Sequence, residues 1–209
     1  IQEVLLATRP YGATPIAGLL DDARNFLWND ASPDPVTGSG AFGPRSDPNW
    51  LVPNCRKTIA ILLTDGEPNL DLRPFCEGPG DPPTGRAGRC PYERPEEIVS
   101  ALRLDPPTPS QSVETYVVAF ALGRVTPAGG SEIACSELTD EQCSSPANAS
   151  NKALQACCTL NKIAAAGGLD ENGQPRRAFF AENRDELRSI FTEILDDVVQ
   201  LTTRTIPVF

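Results

Sequence analysis

The sequence predicts an α/β fold, a mostly parallel sheet with helices on both faces, and three observations carry that expectation. Two continuous apolar runs, TIAILLT at 58 to 64 and ETYVVAFAL at 114 to 122, read as strands covered on both faces rather than as half-solvated strands. Helical stretches separate them from each other and from a third short strand, AFFA at 178 to 181. The order strand, helix, strand, helix, strand, helix builds a doubly wound parallel sheet.

The elements follow in chain order. Residues 14 to 28, TPIAGLLDDARNFLW, place Ile16, Leu19, Leu20, Ala23 and Leu27 on one helical face, with Thr14 as N-cap and Pro15 at the first helical position. Residues 29 to 54 turn to Asp, Ser, Pro and Gly and read as an insertion. The strand at 58 to 64 then runs into Asp65, and Gly66 and Pro68 break it at once. In parallel sheets ligands bind at the carboxyl ends of the strands, so the strand delivers a carboxylate to the rim where binding takes place. A Pro/Gly-rich insertion at 66 to 94 holds Cys76 and Cys90 and leads into a short helix, PEEIVSALRL. After the second strand a polar insertion, 123 to 150, holds Cys135 and Cys143. NKALQACCTLNKIAAAGG reads as a helix capped by Asn151 and stopped by Gly167 and Gly168. In NRDELRSIFTEILDDVVQL, Asn183 and Glu186 resemble a capping box, and Leu187, Ile190, Phe191, Ile194, Leu195, Val198 and Leu201 form one stripe. Asp196 and Asp197 read as a solvated face and GLDENGQP, 168 to 175, as a turn.

Composition bounds the function. Across 209 residues the net charge is -10 and the isoelectric point about 4.5, which argues against nucleic acid or anionic lipid as partner and in favour of cations. No apolar run approaches the roughly 20 residues that span a bilayer, so no membrane insertion is expected. The start at Ile1, without a methionine or signal segment, is one expected of an internal or processed piece. Seven cysteines, Cys55, Cys76, Cys90, Cys135, Cys143, Cys157 and Cys158, occur with no histidine and no CxxC spacing. Disulfides therefore fit better than zinc and imply an oxidising compartment. The short spacings favour local Cys76–Cys90 and Cys135–Cys143 bridges, stapling insertions that have no core of their own; the alternative pins the insertions to the helix through Cys157 or Cys158. Consecutive helical residues point about 100° apart, so one of Cys157 and Cys158 is expected to face the core while the other reaches a loop. The sequon Asn148-Ala149-Ser150 marks a surface loop.

Three chemistries place an aspartate at such a rim. An aspartyl-phosphate site wants a second Asp two residues on, where this chain has Glu67, and a phosphate-cradling GK[ST] loop is absent. A divalent-cation site built from hydroxyls and a carboxylate remains.

ILLTDGEPN, preceded by RPYGATPIAGLLDDA and followed by ETYVVAFAL, LNKIAAAGG and AFFAENRDELRSIFTEIL, resembles the C-terminal half of a von Willebrand factor type A domain, a Rossmann-like doubly wound fold. NCRKTIAILLTDGEPN and the exit TTRTIPVF make it most similar to the type A domains of bacterial type IV pilus tip adhesin and assembly proteins. The resemblance implies a metal-ion-dependent adhesion site in which Thr14 matches the threonine of a G-x-T-P loop and Asp65 the aspartate of a TDG turn. The third element, D-x-S-x-S, does not occur in these residues. The family sheet order, 3-2-1-4-5-6, implies that residues 1–201 supply only its last three strands, that an N-terminal remainder of the same domain completes it, and that 202–209 form a linker towards a β-propeller. The strand at 58 to 64 would then have an open edge, and the chain alone would not fold as a monomer.

The function implied is that of an extracellular adhesion or protein-binding module, not an enzyme, at a bacterial surface or pilus tip, exported through an oxidising periplasm. Its cofactor would be Mg²⁺, Mn²⁺ or Ca²⁺, and its partners pilus subunits or a host or surface protein. The alternatives are a type A scaffold in pilus assembly without metal, or a metal-dependent hydrolase, which the lack of histidine and of a nucleophile motif disfavours.

Overall fold

The computed structural model describes residues 15–29, 58–66, 93–107 and 111–202. Thr14, Cys55, Cys76 and Cys90 lie outside these residues, as do nearly all of the insertions 29–54 and 66–94. The elements are α1 (Ile16–Trp28), β1 (Thr58–Thr64), α2 (Pro95–Leu104), β2 (Val113–Phe120), β3 (Arg124–Val125), β4 (Ile133–Ala134), α3 (Asp140–Ser144), α4 (Lys152–Gly167), β5 (Phe179–Ala181) and α5 (Arg184–Thr202).

The class is α/β, as expected, with a three-stranded sheet in the order β1-β2-β5. Both pairings are parallel, from Thr58 opposite Val113 to Thr64 opposite Ala119, and from Val118 opposite Phe179 to Phe120 opposite Ala181. The chain steps across this sheet in one direction, so right-handed crossovers place α2 and α4 on the same face. The core agrees. Leu62, Val113, Val117 and Ala119 pack against Ile16 and Leu20 of α1, Ile98, Val99 and Leu102 of α2, and Leu160 and Ile163 of α4. On the other face Tyr116, Val118 and Ala181 pack against Ile190 and Ile194 of α5. Both faces of β2 are therefore covered, which is why its sequence is apolar without alternation.

β1 departs from that pattern. Among the described residues it pairs only with β2, and Ile61 and Leu63, on the side of the sheet that α5 covers elsewhere, are 37% and 51% exposed. α5 packs across β2 and β5 and reaches β1 only at Ile59.

Local chemistry sets most of the boundaries. The Asn151 side chain accepts a hydrogen bond from the Leu154 amide at the start of α4 (3.2 Å). At the end of α4 Gly167 lies so close to the backbone of β2 that a Cβ would overlap the Thr115 carbonyl. Asn183 Oδ1 accepts from the Asp185 and Glu186 amides and so caps α5, while Glu186 Oε2 accepts from the Glu182 amide rather than from the Asn183 amide that a capping box would use. α1 starts one residue later than expected, with Pro15 as its N-cap residue. Leu19, assigned to the buried face, is 57% exposed, while Ile16, Ala17 and Leu20 carry the contact.

The turn at 168 to 175 is tied down by a buried arginine for which the sequence offers no periodic signal. Arg176 Nη2 donates to Glu114 (3.1 Å), to the Tyr116 hydroxyl (3.2 Å) and to the Leu169 carbonyl (2.9 Å). Its guanidinium lies 3.8 Å over the Tyr116 ring. Tyr116 in turn donates to Asp197 Oδ2 (2.5 Å), so Asp197 is part of this network rather than of a solvated face, while Asp196 stays exposed.

Burial, followed by the bond to Asp197, pushes the Tyr116 phenol well above its usual value, although Arg176 pulls it down. The folded state therefore holds that proton after the unfolded chain has released it. The resulting stability is complete below pH ~10 and falls as pH rises further. Urea titrations of the wild type between pH 9 and pH 11 should show this loss, and Tyr116→Phe should flatten it; an unchanged slope in the variant would remove Tyr116 as its source.

Candidate functional site at the carboxyl rim of the sheet

The carboxyl ends of the three strands meet at one rim. At the end of β1 the Thr64 hydroxyl, itself buried, accepts a hydrogen bond from the Gly66 amide (3.3 Å) and donates to the Gly66 carbonyl (3.2 Å). This local turn ends the strand and leaves Asp65 exposed. At the end of β2 Ala121 takes a left-handed conformation, with φ of 62°. Its amide donates to the Ala181 carbonyl (2.8 Å), after which the chain leaves the sheet, so β2 stops short of the expected residue 122. Glu182 follows β5, and its carboxylate lies across Gly123 so closely that a Cβ there would collide with it.

Asp65 and Glu182 thus stand at the two outer strands with β2 between them. Strand spacing sets their backbones roughly 10 Å apart. Among the described residues no group of three or more His, Cys, Asp or Glu is placed to hold a metal. These residues contribute one carboxylate, Asp65, at the end of β1, and a hydroxyl–carboxylate cation site does not close on them alone. Thr14 lies outside the described residues.

The insertion 123–150 is built onto this rim and is an ordered layer rather than a loop. β3 and β4 form a short antiparallel ladder, Arg124 opposite Ala134, with an Arg124–Glu132 ion pair at 3.1 Å. α3 carries a capping box, in which the Thr139 hydroxyl accepts from the Gln142 amide and Gln142 Oε1 accepts from the Thr139 amide. Contrary to the expectation of no core, Val125, Cys135, Leu138, Leu154, Cys157 and Cys158 form a small buried cluster.

Among the described residues the disulfides are Cys135–Cys157 and Cys143–Cys158, which corrects the expected Cys135–Cys143 staple. The insertion wraps the first half of α4, so Cys135 at its base meets one helical residue and Cys143 on α3 meets the next. The divergence of neighbouring helical side chains, taken to leave one of Cys157 and Cys158 facing the core, instead lets the pair hold two parts of the insertion. Sequence separations of 22 and 15 give about 3 kcal/mol each in the chain-entropy model.

Two buried asparagines complete the anchorage. Asn161 Nδ2 donates to the Cys135 carbonyl (2.8 Å) while its Oδ1 accepts from the Ala178 amide (3.2 Å), joining the insertion to the lead into β5. Asn148 Oδ1 accepts from the Ala128 amide (2.6 Å) and its Nδ2 donates to the Gln142 carbonyl (2.8 Å). Asn148 therefore faces inward, and the sequon does not present its amide to solvent. For Asn161 the signal was a lone amide within the apolar helix face from Leu160 to Ile163. Beside this layer a groove of about 410 Å³ opens between Gly123, Arg124, Ser136, Phe179, Glu182 and Glu186.

Compared with known proteins, the chain matches no family model, no curated protein and no solved structure.

Asn161→Ala removes both partners of buried backbone groups at once. It should cost about 2–4 kcal/mol in chemical unfolding and raise hydrogen exchange at Ala178; a loss within experimental error would mean that the insertion is held by its disulfides alone.

Proposed function

We propose that the chain is part of an extracellular protein-binding module of the von Willebrand factor type A kind, working at a bacterial surface or pilus tip. In this reading the carboxyl rim of the sheet recognises its partner with the help of a divalent cation. The observation that carries it is Asp65, an exposed carboxylate set at the end of an apolar parallel strand by the Thr64–Gly66 turn. The insertion anchored by two disulfides on the same rim supports it, because a rigid surface beside the acid suits recognition.

The two disulfides fit an oxidising compartment, and among the described residues no helix is long and apolar enough to cross a membrane. Asp65, with Thr14 on the strength of the resemblance, would hold Mg²⁺, Mn²⁺ or Ca²⁺ through oxygen, the hard-ligand chemistry these ions require. A bound cation would offer a coordination position to a carboxylate of the partner. The rest of its ligands, and a strand and helix to cover the β1 edge with Ile61 and Leu63, fit an N-terminal remainder of the same domain. A second reading, a scaffold in pilus assembly without metal, is favoured by the lack, among the described residues, of any group of three or more His, Cys, Asp or Glu placed to hold a metal.

Calorimetric titration of Mn²⁺ into the full-length protein separates the two. The adhesion reading expects a saturable heat that Asp65→Ala weakens at least ~10-fold, about 1.4 kcal/mol, with an unchanged melting temperature in chelator. Saturable binding that Asp65→Ala leaves intact would move the site elsewhere, and no binding in the wild type would leave the scaffold.

A further inference from the structure

The two disulfides that hold the insertion differ in their surroundings. Cys135 and Cys157 are fully buried, packed in the cluster with Val125, Leu138 and Leu154. Cys158 belongs to that cluster too, but its partner Cys143 is half-buried, and both line a groove of about 850 Å³ bordered by α2 and α4, so access to the second bond is through Cys143. Thiol–disulfide exchange requires a thiolate to reach a sulfur, so access separates the two bonds before any difference in chemistry.

The groove also carries groups that act on the reaction. Lys162, four residues beyond Cys158 on α4, lines the same groove, and an ammonium there favours a departing Cys158 thiolate. Asp140 and Glu97 line it as well and oppose any negative charge beyond that of the attacking thiolate, so a dithiol without carboxylates fits better than an acidic thiol.

α3 itself contributes no buried residue. Apart from the disulfide, polar contacts tie this stretch to its surroundings: Gln155 Nε2 donates to the Cys143 carbonyl (3.2 Å) and Asn148 Nδ2 to the Gln142 carbonyl (2.8 Å). Each such bond stabilises by only about 1 kcal/mol.

We propose that Cys143–Cys158 is a reducible latch, opened by a dithiol without carboxylates through the α2–α4 groove, which frees α3 while Cys135–Cys157 keeps the rest of the insertion on α4. A thiolate of the dithiol attacks Cys143 Sγ, the Sγ–Sγ bond breaks, and Cys158 leaves as a thiolate that takes up a proton. The second thiol of the reductant then attacks its own sulfur in the mixed disulfide and releases the Cys143 thiolate, which is protonated in turn. Two electrons and two protons pass to the protein and the dithiol becomes a disulfide. Release of α3 widens the groove and moves Asp140 and Glu141 away from α4.

Limiting dithiothreitol applied to the native full-length protein, followed by pulse alkylation and peptide mass spectrometry, tests the latch. Cys143 and Cys158 should be alkylated at least ~10-fold faster than Cys135 and Cys157. Hydrogen exchange should rise at Asp140–Ser144 and stay constant over Lys152–Gly167. The Cys143→Ser, Cys158→Ser double variant should show the same raised exchange with no reductant present. Equal alkylation rates, prior opening of Cys135–Cys157, or unchanged exchange in α3 after scission would each overturn the proposal.

Discussion

The rest of the structure depends on enclosing β2. It is the one described strand with a partner on each edge and helices on each face, and Val113, Val117, Val118 and Ala119 are wholly buried within it. Buried backbone groups must be paired, and parallel ladders do this along the β1 edge from Val113 to Ala119 and on the β5 edge from Val118 to Phe120. Enclosure also sets how near the helices approach. α4 can end against Thr115 because Gly167 has no side chain there. At the amino end of the sheet Glu114 and Tyr116 are closed over by Arg176, which reaches them from the segment leading into β5 and lies within 3.6 Å of Asp197 on α5. A cation paired in this way is tolerated in the interior, where an isolated one would not be.

The carboxyl end is organised differently, because the chain leaves β2 there instead of closing over it. Ala121 turns the backbone out of the sheet in a conformation that costs a non-glycine residue about 1 kcal/mol or more. The residues that follow build a layer whose apolar content is too small to stand alone. It borrows Leu154 and Phe180 from the main fold, and consecutive cysteines on α4 hold its two parts. Anchorage to a helix that is itself packed on β2 ties the rim surface to the sheet beneath it. Asp65, on the neighbouring strand, is presented beside that surface.

The sheet and its helices were legible because their signals are local and repeated. The apolar run from Thr58 to Thr64, the Asn151 cap with its glycine stop, and the stripe through Ile190 and Ile194 each point to one element. The insertion was not legible for the opposite reason. β3 and β4 are two residues each, and α3 is five, lengths at which propensity says little and tertiary contacts decide. Disulfide pairing depends on which helix the insertion lies against, so spacing alone favoured Cys135 with Cys143. Arg176 sat in a stretch that reads as a turn, and nothing in its neighbours discloses that it reaches β2 and α5. Of the rim, Asp65 was found from the break after β1. Glu182 was missed, since an acid before a capped helix is ordinary.

A cation-bearing rim is tested most directly by Mn²⁺-induced broadening of amide resonances in the full-length protein, which reports position without a partner in hand. The rim reading predicts broadening centred on Asp65 and Gly66 and reaching Ala121, with the exposed acids Asp170, Glu171 and Asp196 left sharp. Broadening centred on those acids, or none at stoichiometric Mn²⁺, would contradict it.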